Sequence, residues 1–230
     1  MERYSRQIML PQIGEAGQRR LARSTALVVG VGGLGSPVAL YLAAAGVGRI
    51  GLVDADVVSV SNLQRQILYA ESEVGLPKVE MAARRLAALN SDVEIETYAC
   101  RLDESNAESI ISHYDIVVDG CDNLRTRYLV DDVCGRLNKP YVFGAICAMS
   151  GQVSVFHYGD NPRSYRELFV PDETCVGECE PMGVVGTTPA VIGSFEANEA
   201  IKILAGYGEV LTGRLLQVEL DSLQISIISF

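Results

Sequence analysis

The chain lacks any apolar run that approaches the roughly 20 residues needed for a membrane-spanning helix. Its first residues, Met1 to Gln7, also lack the apolar core of a secretory signal. We therefore expect no membrane association and a cytoplasmic location. The six cysteines are scattered along the 230 residues, as expected for reduced and mostly buried thiols in a cytosolic protein.

Positive charge is scarce as well: Lys and Arg number 19 against 29 Asp and Glu, which gives a net charge of −10. A nucleic-acid surface requires a basic patch, so we expect no nucleic-acid partner. The sequence contains no internal repeat, low-complexity tract or interdomain linker. These absences predict a single domain over residues 1–230, long enough to bury a substantial core.

Apolar segments alternate with helix-like segments up to residue 146. The predicted strands end at Val29 and Val53 and then cover Val93–Tyr98, Asp115–Asp119 and Tyr141–Ile146. Predicted helices follow the glycine turn after Val29 and cover Pro77–Asn90, Glu104–Ser112 and Asn123–Leu137. This order is typical of an α/β fold with a doubly wound, Rossmann-like, mostly parallel sheet.

The pattern differs at the two ends of the chain. Residues 1–22 are expected to form an N-terminal arm with a short helix at Gly17–Ala22. Residues 159–188 show no clear periodicity and form a crossover loop, which we expect to be functional or mobile, before a helix from Thr188 to Gly206. Alternating polarity predicts antiparallel additions to the C-terminal end of the sheet, at Gly151–Tyr158, Arg214–Leu220 and Gln224–Phe230.

A glycine-rich turn connects the first predicted strand to its helix. Gly30, Gly32 and Gly35 fit the G-x-G-x-x-G pattern, in which the glycines permit a tight turn, close approach of backbone to phosphate and packing of helix on strand. The helix N-terminus then directs free N–H groups at an anion. Asp54, at the end of the second strand, is placed to accept hydrogen bonds from ribose hydroxyls. The stretch therefore predicts a nucleotide site.

Charged residues follow the predicted strands at the edge of the sheet where ligands bind in open α/β folds. Asp54, Asp56 and Asp122 all follow strands, and Arg65 and Lys78 come soon after the second one. The two cations could neutralise a triphosphate, and Asp122 could hold Mg²⁺. Arg127, one turn into the following helix, belongs to the same predicted cluster. The alternative is that these residues form ordinary surface ion pairs.

Several motifs resemble those of the ThiF/MoeB/HesA family, bacterial relatives of ubiquitin-activating enzymes. The resemblance covers nearly the whole chain and rests on Arg3-Tyr4-Ser5-Arg6-Gln7, Gly30-Val31-Gly32-Gly33-Leu34-Gly35, Asp54-Ala55-Asp56, Ser61-Asn62-Leu63-Gln64-Arg65-Gln66, Pro77-Lys78, Asp122-Asn123 and Gly183-Val184-Val185-Gly186. It implies ATP-dependent adenylation of the C-terminal Gly-Gly carboxylate of a ubiquitin-like sulfur carrier protein, with release of pyrophosphate. The carrier is expected to be ThiS-like, serving thiamine thiazole synthesis, or alternatively MoaD-like, serving molybdopterin synthesis.

The resemblance also implies roles for individual residues. Asp54 would bind ribose, Asn62, Arg65 and Lys78 would contact phosphates, and Asp122 would hold Mg²⁺. Arg6 would reach into the site of a neighbouring subunit, which implies a homodimer. The expected catalytic residues are Arg6, Arg65, Lys78, Asp122 and Cys179. The expected nucleotide-binding residues are Gly30, Gly32, Gly33, Gly35, Asp54, Asp56, Asn62, Arg65, Gln66, Lys78, Asp122 and Asn123.

Cys179 lies at the position where ThiF-like members carry a conjugating cysteine, and Cys175 is a second candidate. Glu178 and Glu180 flank Cys179, and neighbouring carboxylates disfavour a thiolate. Most members of the family also bind a structural zinc through two C-x-x-C pairs. This chain has Ser164-Tyr165-Arg166-Glu167 where the first pair would fall, so we expect no structural zinc.

Two functions of other classes fit parts of the pattern. The glycine turn with Asp54 alone also fits a nicotinamide-dependent oxidoreductase, but Arg65, Lys78 and Asp122 suit a triphosphate with a metal ion better. A non-catalytic relative that only binds nucleotide or carrier is the other alternative. The missing zinc ligands favour it, whereas the complete set of charged residues favours an enzyme.

Overall fold

Eight strands form one sheet in residues 2–170 and 183–230, the part of the chain that the computed structural model describes. In chain order the strands are β1 (Thr25–Val29), β2 (Arg49–Val53), β3 (Glu94–Tyr98), β4 (Ile116–Asp119), β5 (Tyr141–Cys147), β6 (Ser150–Phe156), β7 (Arg214–Glu219) and β8 (Gln224–Ser229). Strands β1, β2 and β4 are apolar along almost their whole length and buried, as expected for strands covered on both faces.

Within the described residues the helices are α1 (Ser5–Ile8), α2 (Gly14–Leu21), α3 (Gly35–Ala45), α4 (Lys78–Leu89), α5 (Ala107–Ile111), α6 (Leu124–Leu137), α7 (Tyr165–Leu168) and α8 (Thr187–Ala205). Helices α1 and α2 precede β1, and the other helices come between successive strands. None of them has the length and apolar character required to cross a membrane.

The strand order is β3-β2-β1-β4-β5-β6-β7-β8. The pairs among β1 to β5 are parallel, and the pairs β5/β6, β6/β7 and β7/β8 are antiparallel. The predicted fold class, a mostly parallel doubly wound sheet with antiparallel additions at its C-terminal end, is confirmed. The chain reverses its direction of strand addition between β1 and β4, and this switch point is where such folds bind ligands.

Alternate residues of each central strand face opposite sides of the sheet and enter two separate cores. Ala26 and Val28 of β1 pack in the core formed by α2, α3, α4 and α8. Leu27 and Val29 pack in the core formed by α5, α6 and α7. Strands β1, β2 and β4 are therefore held from both faces, which fixes the residues that follow their ends.

The N-terminal arm differs from the expected short helix at Gly17–Ala22. It contains α1 and α2, and α2 already begins at Gly14. Gln18 is buried and its Nε2 donates to the Ala45 carbonyl at the end of α3, at 2.9 Å. This contact between segments far apart in sequence stabilises the arm, and local periodicity cannot reveal it.

The helix expected at Glu104–Ser112 is shorter, because α5 begins only at Ala107. The Asp103 side chain accepts hydrogen bonds from the backbone and hydroxyl of Ser105, and the Asn106 side chain accepts one from the Asp103 backbone. These local bonds form a turn that competes with the first turn of the helix.

The predicted crossover loop at 159–188 contains α7 in its first half. The N-terminus of α7 is held by Asp131, whose Oδ1 accepts a hydrogen bond from the Tyr165 N–H at 2.8 Å. Residues 171–182 of the loop lie outside the described residues, and the expectation that the loop is mobile stays a prediction. The helix predicted from Thr188 to Gly206 is α8, with Gly206 in the left-handed conformation at its C-terminus.

Candidate functional site

The carboxyl ends of β1, β2 and β4 are level with one another, and we call this boundary of the sheet the strand-end edge. Val29 pairs in register with Val53 on one side and with Asp119 on the other. The Gly30 N–H donates to the Val53 carbonyl at 2.8 Å, and the Gly120 N–H donates to the Val29 carbonyl at 2.7 Å. Residues that directly follow the three strands are therefore neighbours in space.

The glycine turn depends on the absence of side chains at two positions. Gly30 has φ +88°, and a Cβ placed on it would lie 2.6 Å from the Gly120 carbonyl oxygen. A Cβ on Gly35 would lie 2.0 Å from the Gly30 carbonyl oxygen. The first glycine thus permits the turn and the second permits α3 to pack on it, as the motif predicts.

Gly32 and Gly33 leave more space than the other glycines of the turn. A Cβ on Gly32 would meet only the Gln66 amide, at 3.5 Å, whereas one on Gly33 would meet Pro189 at 3.2 Å and the Arg65 stem at 3.7 Å. The backbone of the turn is therefore approachable next to Gln66 and Arg65. Backbone N–H groups at such a turn are suited to binding phosphate.

Asp54 connects the glycine turn to the loop after β2. Its Oδ2 accepts a hydrogen bond from the Val31 N–H and its Oδ1 accepts one from the Asp56 N–H, both at 2.9 Å. Each carboxylate oxygen has further acceptor capacity, so the half-buried Asp54 could also accept hydrogen bonds from ribose hydroxyls.

The segment from Ser59 to Tyr69 packs over the glycine turn. The Tyr69 hydroxyl donates to the Val31 carbonyl at 2.7 Å, and burial raises the pKa of Tyr69 far above its usual value, with Asp54 adding to the rise. Asn62 accepts a hydrogen bond from the Ser59 N–H and so stabilises a 3-10 turn. Arg65 donates to the Ser61 carbonyl at 3.0 Å. The segment brings Arg65 and Gln66 beside the turn. A nucleotide-binding role for Asn62, Arg65 and Gln66 stays a prediction.

Lys78 begins α4 and forms an ion pair with Asp56. Its Nζ lies 2.8 Å from the Asp56 Oδ2, and the Lys78 side chain is 6% exposed while that of Asp56 is 67% exposed. The nearly buried ammonium of Lys78 is therefore neutralised by a carboxylate, that of Asp56, which is largely exposed to solvent. An incoming phosphate could share or replace that carboxylate as the partner of Lys78.

Asp122 and Asn123 follow β4 at the strand-end edge. Asn123 caps α6, because its Oδ1 accepts a hydrogen bond from the Thr126 N–H at 2.9 Å. Asp122 is exposed to solvent. Asn123 also lines a cavity of about 460 Å³, together with Leu102 and Arg125. Of the predicted nucleotide-binding residues in the described chain, only Asn123 lines this cavity.

Arg6 lies apart from the glycine turn. It belongs to α1 and is exposed. The neighbouring Gln7 donates to the Ala45 carbonyl at 3.2 Å, and Tyr4 accepts a hydrogen bond from Asn90. Ala45 ends α3, a helix about 16 Å long that starts at the glycine turn, so the arm lies at the opposite end of α3 from the site.

Cys175 and Cys179 lie outside the described residues. A conjugating role for Cys179, and the expected absence of a structural zinc, stay predictions.

Arg127 belongs to a buried ion pair that sequence reasoning missed. Its Nε lies 3.0 Å from the Asp119 Oδ2, and the two side chains are 11% and 1% exposed. Burial alone would lower the pKa of Arg127, but the Asp119 carboxylate raises it above its usual value. The signal in the sequence is an acid at the last position of a buried strand, followed by an arginine one turn into the next helix.

Glu196 is a second buried acid that sequence reasoning missed. It lies on α8 against β5, and a Cβ on Gly144 would lie 2.2 Å from the Glu196 carboxyl carbon. Among the described residues neither of its carboxyl oxygens has a hydrogen-bond partner. Burial, and then the charge of Asp119, raise the pKa of Glu196 well above its usual value, which favours the neutral acid.

One observation, a polar atom of Gln66 that lacks a partner in the described part of the chain, points to a ligand at the strand-end edge. Gln66 is buried beside Gly32, and within the described residues its Oε1 has no hydrogen-bond partner, which leaves a polar amide available to a ligand. No group of three or more His, Cys, Asp or Glu side chains converges to hold a metal ion in the described ranges. Mg²⁺ commonly binds through one or two carboxylates together with substrate phosphates, so Asp122 fits such an ion when nucleotide supplies the other ligands.

Comparison with known proteins extends these observations. The model of the ThiF family matches residues 4–229. A sulfur carrier protein adenylyltransferase from Thermus thermophilus is 51% identical over 222 residues, covering 94% of this chain and 82% of that protein. A probable molybdopterin-synthase adenylyltransferase from Porphyra purpurea is 45% identical and covers 94% of this chain, which spans 57% of that relative.

The fold has a solved counterpart as well. The crystal structure of E. coli MccB with ATP superposes with a TM-score of 0.88 at 24% identity, covering 100% of this chain and 71% of that one. This likeness shows the fold, and the sequence comparisons show the family. The chain belongs to the ThiF family, as an enzyme of the adenylyltransferase class.

Proposed function

We propose that this protein adenylates the C-terminal carboxylate of a ubiquitin-like sulfur carrier protein ending in Gly-Gly. The carrier carboxylate attacks the α-phosphorus of ATP, a carrier acyl-adenylate forms and pyrophosphate leaves. The observation that carries the proposal is the convergence of the glycine turn with Asp54, Lys78 and Gln66 at the strand-end edge, where the Gln66 Oε1 has no hydrogen-bond partner among the described residues. The named activity of the Thermus relative supports a carrier protein as the second substrate.

The residues would act mainly by positioning and by neutralising charge. Asp54 would hold the ribose while its two backbone contacts keep the turn and the loop after β2 in place. Arg65 and Lys78 would neutralise phosphate oxygens, and Lys78 would exchange its solvent-exposed partner Asp56 for phosphate. Gln66 and Asn62 would contribute hydrogen bonds beside the glycine turn.

Asp122 would hold Mg²⁺, which supplies positive charge to the phosphates when bound. Asp122→Ala is therefore expected to abolish ATP–pyrophosphate exchange, with a loss of about 100-fold or more. Asp92→Ala is a matched control, because Asp92 is an exposed acid that precedes β3 and so lies at the edge opposite the strand ends. Normal exchange by Asp122→Ala, or equal loss in both variants, would contradict the assigned role.

A homodimer is part of the proposal, because Arg6 cannot serve the site of its own chain from the far end of α3. In a dimer with two-fold symmetry, each arm would reach the partner's strand-end edge. Arg6→Ala and Asp122→Ala proteins are each expected to be inactive. Mixing them should restore part of the exchange activity, since a mixed dimer contains one intact site. Lack of any restoration after confirmed subunit exchange would rule out action across the interface.

The identity of the carrier is the main open choice within this proposal. Our leading assignment is a ThiS-like carrier, with a MoaD-like carrier as the alternative, and the named relatives include both a sulfur carrier and a molybdopterin-synthase adenylyltransferase. Exchange of labelled pyrophosphate into ATP, measured separately with each purified carrier, distinguishes the two. A carrier lacking its final glycine is the control. If neither carrier stimulates exchange, the proposed function is wrong.

The nucleotide can be tested independently of the carrier. We expect Mg-ATP to raise the melting temperature, and NAD to leave it unchanged, because the cations near the turn suit a triphosphate. Cys179→Ala is expected to retain exchange and to impair only later sulfur transfer. Stabilisation by NAD alone would favour the oxidoreductase alternative, and binding of ATP without exchange would favour a non-catalytic relative.

A further inference from the structure

The backbone immediately before Asp122 is held by the buried ion pair at the end of β4. Arg127 Nη2 donates to the Cys121 carbonyl at 3.0 Å and to the Gly144 carbonyl of β5 at 3.2 Å. The guanidinium also lies over the Phe143 ring, 5.4 Å from its centroid. Three elements, the loop after β4, β5 and α6, therefore meet at one arginine.

Asp119 bonds to the N–H of Cys121, the residue whose carbonyl accepts a hydrogen bond from Arg127. Its Oδ1 accepts a hydrogen bond from the Cys121 N–H at 2.9 Å, and its Oδ2 accepts one from the Tyr141 hydroxyl at 2.8 Å. Both backbone polar groups of Cys121 are thus bonded to the Asp119–Arg127 pair. Cys121 directly precedes Asp122, so the pair fixes the direction in which the chain enters the predicted metal ligand.

Glu196 is a further buried acid close to the Asp119–Arg127 pair. Glu196 is fully buried near both, and its raised pKa favours the neutral form, so it does not compete with Asp119 as a charged partner of Arg127. The buried guanidinium thus has one full charge partner in the described part of the chain. The other donor groups of Arg127 are left for the carbonyls of Cys121 and Gly144.

We propose that Arg127, through its bonds to Asp119 and to the Cys121 carbonyl, is a positioning residue that presets the Asp122 carboxylate for the divalent cation of the bound nucleotide. This inference rests on the proposed function, in which Asp122 holds Mg²⁺. Residues that orient a metal ligand commonly change metal affinity or activity 10- to 100-fold when replaced. A purely structural ion pair would instead change the amount of folded protein and leave the affinity of the folded fraction unaltered.

The test variant is Arg127→Lys, because lysine keeps the buried positive charge for Asp119 but lacks the planar fork that also reaches the Cys121 carbonyl. Arg166→Lys is the matched control. Arg166 forms a two-bond pair with Asp132, also on α6, at 2.7 Å for each bond, but it touches neither Cys121 nor Asp122. Both variants remove the same chemical group from an arginine–aspartate pair.

Hydrogen exchange measured on the whole 230-residue chain tests the attachment of Cys121 to the Asp119–Arg127 pair without any assumption about activity. In Arg127→Lys we expect the Cys121 amide to exchange roughly threefold to tenfold faster, because its surroundings loosen by about one hydrogen bond. The same amide should keep its wild-type rate in Arg166→Lys. An unchanged rate in folded Arg127→Lys would overturn the proposal.

The second readout is the Mg²⁺ concentration that half-saturates ATP–pyrophosphate exchange. We expect it to rise about tenfold in Arg127→Lys, with activity largely rescued by excess Mg²⁺, and to stay unchanged in Arg166→Lys. An unaltered half-saturation with reduced maximal rate would also overturn the proposal. If the wild-type protein shows no ATP–pyrophosphate exchange, the proposed function fails. The Mg²⁺ dependence of ATP binding is then measured as the second readout instead.

Tyr141→Phe gives a milder perturbation if Arg127→Lys does not fold. It removes only the hydrogen bond to Asp119 Oδ2 and keeps the aromatic ring in the core. We expect a rise of about threefold in the Mg²⁺ half-saturation and in the exchange rate of the Cys121 amide. No change in either quantity would contradict the role assigned to the pair.

Discussion

Asp54 follows β2 and Asp119 ends β4, so two acids occupy nearly equivalent places at the strand-end edge. Asp54 is half-buried and is bonded to backbone N–H groups, whereas Asp119 is 1% exposed and is bonded to Arg127 and Tyr141. The two acids differ because different bonding partners lie close to each of them. A buried cation beside Asp119 makes this acid part of the framework of the fold. Among the described residues no cation pairs with Asp54, so its oxygens can accept hydrogen bonds from a ligand.

The position of an acid at a strand end therefore does not by itself determine its role. Asp54, Asp56 and Asp122 all keep solvent contact. We propose that Asp54 binds ribose, that Asp122 holds the metal ion, and that Asp56 gives up Lys78 to phosphate. Asp119 instead stabilises the backbone that leads to one of them. The framework acid and the ligand-facing acid are neighbours because parallel strands end together.

The largest effect is expected when the framework acid is removed. Asp119→Ala leaves the Arg127 guanidinium buried without its charge partner, and we expect the free energy of unfolding to fall by about 3–5 kcal/mol. Asp54→Ala should cost only about 1–2 kcal/mol, because it removes two hydrogen bonds from a half-buried group, yet it should abolish binding of ATP. Urea denaturation of both variants measures the difference. Equal losses of unfolding free energy would contradict the different roles assigned to the two acids.

Gly30 follows β1 and packs closely against Gly120, which follows β4. Replacement of Gly30 tests that contact. Gly30→Ala should destabilise the protein by about 3 kcal/mol or more, because its Cβ would lie 2.6 Å from the Gly120 carbonyl oxygen and its φ is +88°. Gly75→Ala is a matched control with φ +87° and no atom within 4 Å of the added Cβ, and should cost about 1–2 kcal/mol. Thermal unfolding of both variants separates steric contact from backbone strain. Equal losses would show that the contact with Gly120 is unimportant.

Glu196→Gln tests the buried acid that faces the framework pair. Because the pKa of Glu196 is raised in the folded state, the folded protein retains a proton that the unfolded chain loses above pH of about 4.3. Wild-type stability should therefore fall as pH rises from that point toward the raised pKa, whereas the neutral Gln contributes no such loss. We expect the melting temperature of Glu196→Gln minus that of the wild type to increase from pH 5 to pH 8. A constant difference would mean that Glu196 titrates normally.

The smallest effect is expected at Arg125, two residues before Arg127 on the same helix. Arg125 pairs with Glu104, but the two side chains are 83% and 66% exposed. Water screens such a pair, so Arg125→Ala should change the free energy of unfolding by no more than about 0.5 kcal/mol. Urea denaturation of Arg125→Ala and Arg127→Lys compares the losses of unfolding free energy at the two arginines. A large loss at Arg125 would contradict the view that burial decides which pairs matter.

Much of the fold could be predicted because its signals are local. The apolar segment ending at Val29, the glycine turn and the apolar stripe of α4 each depend on neighbours within a few residues, and all were found near their observed places. The beginnings of α2 and α5 were missed for different reasons. For α2 the local pattern does not contain the contact of Gln18 with the end of α3, which holds the helix in place. For α5 the side chains of Asp103 and Asn106 form a turn that competes with the first turn of the helix.

The sequence by itself determined the order of strands and helices, the glycine turn and the set of charged residues near it, because these follow from periodicity, motif and spacing. Only the tertiary structure decided how each charge is used. It buried Arg127 with Asp119, paired Lys78 with the exposed Asp56 and placed Arg6 at the far end of α3. Burial and the choice of partner arise from contacts between segments that lie far apart along the chain, and those contacts set the free energy of each charged group.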